Sequence, residues 1–92
     1  MKSIFVGSKS KPTFLVEILP KKKEISIYTP DVFSKNEEFY EKYALGKLVI
    51  KAKYTAITCG TVPYKGYLYA PELVVTINNR KFMITNKIRE LK

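Results

Sequence analysis

The sequence predicts an α+β fold that is mostly β: a small antiparallel sheet curled into a barrel or sandwich, with one main helix and the element order β-β-β-α-β-β-β. Three observations carry this. The apolar residues are largely Ile, Val, Leu, Phe and Tyr, types that suit a pleated, half-buried surface. Two-residue alternation of apolar and polar positions recurs along most of the chain and is broken by Pro, Gly, Asn and Lys turns. Only one segment carries helix signals, and a parallel sheet needs helices alternating with strands.

Residues 3–6 read as a short strand closed by Gly7, followed by a polar turn through Pro12. Residues 13–19 read as a second strand with Phe14, Val16 and Ile18 on one face, and residues 24–29 as a third with Ile25 and Ile27 inward. Pro20 and the lysines 21–23 between them form a hairpin loop. The helix is expected after Pro30. Ser34 and Glu37 have capping-box spacing, and Glu37 and Glu38 suit the positive end of the helix dipole. Phe39 and Tyr43 share a face, Glu38 and Lys42 have the favourable i,i+4 order, and Gly46 suits the position just past a helix end.

Residues 48–58 alternate without interruption and read as one long strand, with Lys51 and Lys53 on the same side. Residues 64–69 read as a strand interrupted by Gly66. Residues 73–77 and 81–85 read as a hairpin about Asn78-Asn79, a pair that tolerates the positive φ of a tight turn. Residues 86–91 are expected to form a short tail with one helical turn docked by Ile88 and Leu91. No internal repeat or linker is visible, and 92 residues make one domain, 1–92. A chain of this size buries roughly 60–65% of the surface it exposes when unfolded, enough for one modest core. The element order resembles that of the OB-fold.

Composition excludes several chemistries. There is no histidine, so histidine acid–base catalysis and the usual zinc sites are out of reach. Cys59 is the only cysteine, has no histidine to activate it and can form no intrachain disulfide. The four glycines are scattered and make no phosphate-cradling loop. No enzymatic activity, cofactor, metal or catalytic residue is expected. No apolar run approaches the ~20 residues of a membrane span, and no signal-peptide core is present. The chain is expected in the cytoplasm, with no membrane partner.

Charge is the remaining clue. The formal net charge is +9, and lysine greatly outnumbers arginine. Residues 31–46 carry Asp31, Glu37, Glu38 and Glu41 against Lys35 and Lys42, a net of −2, so the remainder carries +11 within the total of +9. A basic strand body opposite an acidic helix suits a polyanionic partner. Lysines and tyrosines also interleave, and stacking on aromatic rings tolerates any base sequence. The expected function is a small, sequence-tolerant nucleic-acid-binding module for single- or double-stranded partners. Lysines would meet phosphates and exposed tyrosines would meet bases, through Lys51, Lys53, Tyr64, Lys65, Tyr67 and Arg80. Tyr54 shares a strand face with Leu48 and Ile50 and is expected in the core. The lysines 21–23 read either as a phosphate-tracking cluster or as a solvated loop that guards a strand edge.

Ile4-Phe5-Val6-Gly7 resembles the first-strand signature of the RNA-recognition motif, and Lys65-Gly66-Tyr67-Leu68-Tyr69 in part its third-strand signature. The arrangement differs: that family places a helix directly after the first strand, where this chain has Pro12 and two strand patterns. The family is therefore not assigned. The alternative function is a small interaction or inhibitor protein of the kind that viruses and mobile elements encode. It would bind an acidic protein surface with its tyrosines as anchors, or pair as a homodimer through an edge strand.

Overall fold

The computed structural model describes residues 2–7, 12–32, 43–64 and 67–91. Among them ten strands occur in chain order: β1 (Lys2–Gly7), β2 (Pro12–Leu19), β3 (Glu24–Val32), β4 (Tyr43–Lys53), β5 (Ala56–Cys59), β6 (Val62–Tyr64), β7 (Tyr67–Ala70), β8 (Leu73–Ile77), β9 (Arg80–Ile84) and β10 (Ile88–Leu91). Six form one sheet in the order β4-β3-β2-β1-β7-β6, and four form another in the order β10-β9-β8-β5.

This architecture corrects the predicted fold. Among the described residues there is no helix, the sheets do not close into a barrel, and the OB-like order β-β-β-α-β-β-β is not followed. Of the predicted helical segment, residues 34–42 lie outside the described residues. Its last turn is strand instead: Val32 pairs with Tyr43, Asp31 with Ala44 and Pro30 with Leu45. Capping and i,i+4 signals are local, whereas this ladder joins distant residues, and such pairing overrides propensity. The sheet is also not purely antiparallel, because β1 pairs in parallel with β7.

The core lies between the sheets. Ile4, Val6, Phe14, Val16, Ile18, Ile25, Ile27 and Ala70 from the larger sheet pack against Leu73, Val75 and Ile84 from the smaller. Those from β2 and β3 are the alternate positions that the sequence pattern placed on one face. The reverse face of the larger sheet is covered as well, since Phe5, Leu15 and Tyr69 are buried there. Phe5 stands opposite Leu15 on one side and Tyr69 on the other, and the Phe5 and Tyr69 rings lie 5.5 Å apart, tilted by 31°. Burial on both faces explains the unbroken apolar runs at residues 4–6 and 14–16.

Turn chemistry fixes the ends of the sheets. Lys23 has φ 50° and donates its N–H to the Pro20 carbonyl at 3.2 Å, closing the β2–β3 hairpin. Asn78 and Asn79 have φ of 53° and 64°, as a tight primed turn needs. Gly7 has φ +118°, and a Cβ there would stand 2.9 Å from the Thr13 nitrogen, so only glycine fits. The predicted long strand 48–58 is two strands. The chain leaves the larger sheet at Tyr54, whose N–H reaches the Lys23 carbonyl, and enters the smaller at Thr55, whose N–H reaches Thr76, both at 2.9 Å. The predicted helical tail is strand β10, in register with β9 from Ile88↔Ile84 to Leu91↔Lys81. The interrupted strand 64–69 is a hairpin in which Tyr64 pairs with Tyr67.

Candidate functional site

Strand directions place the charge. β1 starts, β2 ends, β3 starts and β4 ends at the same end of the larger sheet, the end that carries the turn at residues 20–23. The hydrogen bonds of Tyr54 and Thr55 join that end to the Asn78-Asn79 turn of the smaller sheet, where Thr76 pairs with Lys81. At the opposite end the Thr13 hydroxyl lies 3.2 Å from Asn86 Oδ1, so the two sheets coincide at both ends.

The consequence is a basic tip. Lys2, Lys21, Lys22, Lys23, Lys51, Lys53, Arg80 and Lys81 all lie at or next to the turn end, and all are exposed. Of the other described cations, Lys47, Lys87 and Arg89 lie elsewhere. The described carboxylates at the tip are Glu24, opposite Lys53 in register, Glu17, level with Ser26 and so with Lys51, and Glu90. Glu90 is occupied by Arg80, which donates through Nε at 2.9 Å and through Nη2 at 2.5 Å. The Arg80 guanidinium also stands 5.5 Å from the centre of the Phe82 ring.

The Arg80 hydrogen bonds are the main cause holding the Glu90 carboxyl below its ordinary value, and the same bonds raise Arg80. A lowered carboxyl contributes stability above its unfolded value and loses it as pH falls through the folded one. The pair should therefore support the fold at neutral pH and not in strong acid. In thermal melts, Glu90→Gln is expected to lower the midpoint slightly near neutrality, and the difference from the unaltered chain should vanish below the ordinary carboxylate range. A difference that persists in acid would count against the pair.

The predicted site residues are partly brought together. Lys51 and Lys53 sit on edge strand β4, on the reverse face of the larger sheet, where Lys51 is level with Ser26 and Lys53 with Glu24. Tyr64 and Tyr67 are paired in backbone register at the β6–β7 hairpin, also toward the turn end, since neighbouring Leu68 is level with Ile4. Tyr64 is on the other edge strand, five strand spacings or roughly 24 Å from β4, and Tyr67 is one strand nearer. Lys65 lies outside the described residues. Arg80 is on the smaller sheet, and its guanidinium is taken up by Glu90. Tyr54 is half-buried against the core, as expected, and the burial of Tyr69 removes it from any stacking surface.

The tip also has a hollow of about 420 Å³, lined among the described residues by Leu19, Pro20, Lys21 and Lys22. Leu19 is level with Glu24, which is level with Lys53, so this lining residue stands on the same face as the β4 lysines and roughly 10 Å from Lys53. Sequence reasoning did not single out Lys2, Lys81, Leu19 or Pro20. The signal available was their position beside turns, but which turns share an end is a matter of topology.

No protein-family model, no curated protein and no solved structure matches this chain. Among the described residues no helix is long and apolar enough to cross a membrane.

Proposed function

We propose that the protein is a small, sequence-tolerant nucleic-acid-binding module whose contact surface is the basic tip, in the cytoplasm. The observation that carries this reading is the gathering of seven exposed lysines (2, 21, 22, 23, 51, 53 and 81) from separate strands and turns at one end, where Glu17 and Glu24 are the described carboxylates not occupied by an arginine. Ammonium groups on long stems suit phosphates, because they need no fixed geometry and release counterions on contact.

The tip replaces the lysine–tyrosine surface expected from sequence as the primary contact. Lys51 and Lys53 belong to it, while Tyr64 and Tyr67 flank it toward the far edge of the sheet. About five phosphate contacts on a single strand give a slope of log K against log salt near −3.5. Fluorescence anisotropy with a labelled oligonucleotide across a salt series is expected to show a slope of that order. Absence of binding at low salt removes the proposal.

A further inference from the structure

We infer that the hollow at residues 19–22 receives one unstacked base of a bound single strand; this rests on the reading of the tip as a nucleic-acid surface. The hollow has the chemistry of a junction. Among the described residues it is lined by Leu19 and Pro20, which are apolar, and by Lys21 and Lys22, which bear ammonium groups. Lys53 and Lys51 stand on the same face beyond Glu24. A ligand matched to it has a flat, weakly hydrated body joined to flexible anions, which describes a nucleotide within a strand. At about 420 Å³ the space lies within the range of small-ligand pockets, about 300–1,000 Å³.

The alternative ligands fit less well. A base inside a duplex has both faces stacked and cannot enter without being flipped out, at an energetic cost. Among the described lining residues, Leu19 and Pro20 offer no side-chain donor or acceptor and meet a base by its face. The hollow therefore favours a single strand over a duplex. The lysine stems contribute apolar surface to the wall while their heads remain in water.

The test compares a labelled single strand with the same strand carrying abasic positions throughout, which keeps every phosphate. Loss of one stacked base is expected to weaken binding about 5- to 150-fold, with the salt slope unchanged. A photo-crosslinking strand containing 5-iodouridine, bound to the unaltered protein and digested, is expected to label the peptide carrying Leu19 and Pro20. Equal affinity for natural and abasic strands overturns the inference and leaves the polyanion-binding tip standing. Crosslinks confined to the peptide carrying Tyr67 and Tyr69 overturn the placement in the hollow. If neither strand binds at low salt, the proposed function fails and the inference with it.

Discussion

A protein carrying Lys21→Glu, Lys22→Glu and Lys23→Glu is expected to bind a single-stranded oligonucleotide about 100-fold more weakly than the unaltered chain at about 0.1 M salt. Each lysine that meets a phosphate contributes about 0.7 to the logarithmic salt slope on a single strand, so removing three lowers the slope by about 2. Repulsion by the new carboxylates adds to the loss. The three residues are exposed in a turn, and their side chains make no ion pair with a described residue, so the melting midpoint should move little. The control is Lys47→Glu with Lys87→Glu, which reverses two exposed charges away from the tip. Anisotropy titrations at two salt concentrations compare the variants. If the control loses as much affinity per charge as the tip variant, net charge rather than a local surface governs binding.

The largest effect on stability is expected at Ile27. It is wholly buried, stands between Val16 and Ile50 in register and faces the smaller sheet. Ile27→Ala removes apolar contacts and leaves a cavity that surrounding strands cannot fill, at a cost of about 2–5 kcal/mol. Total stability for a chain of this length is about 5–14 kcal/mol, so the variant should melt more than 10 °C lower or fail to fold. Ile27→Val keeps most of the volume and should cost about 1 kcal/mol. Val49→Ala is the surface comparison: Val49 is 44% exposed, and its loss should be within about 0.5 kcal/mol. Urea denaturation gives all three values. An Ile27→Ala chain as stable as Val49→Ala would contradict the placement of the core.

Strand positions were legible because they depend on local pattern. Residues 73–77 are strand as read, the Asn78-Asn79 turn has the anticipated positive φ, and the inward residues of β2 and β3 are those that alternation selected. Two kinds of feature were not legible. The first is a change of partner without a change of pattern. Residues 48–58 alternate throughout, yet the chain passes from one sheet to the other at Tyr54-Thr55, with no glycine or proline to mark the crossing. The second is a local signal overruled from a distance. Gly46 suits a helix end, but it falls in the irregular stretch between the pairs Tyr28↔Leu48 and Pro30↔Leu45.

The candidate site shows the same division. The separation of basic and acidic segments was visible in the sequence, and so was the interleaving of lysine with tyrosine. The distance between Lys53 and Tyr67 was not, because it depends on β1, β2, β3 and β7 lying in the order observed. Nor was the convergence of Lys2, Lys23 and Lys81, which are far apart along the chain and are gathered by strand direction and by two backbone hydrogen bonds.

The parallel pairing of Ile4, Phe5 and Val6 with Leu68, Tyr69 and Ala70 bears on the time course of self-assembly. The β1–β2 and β2–β3 hairpins can close early, because each joins near neighbours. The middle of the larger sheet cannot be completed until more than sixty further residues have been made and brought back beside β1. Closing so large a loop is entropically expensive before any contact rewards it, and pairings of this kind fold slowly. During synthesis β1 therefore waits with one hydrogen-bonding edge open, and the interval before β7 arrives is when the nascent chain is most exposed to pairing with a neighbour.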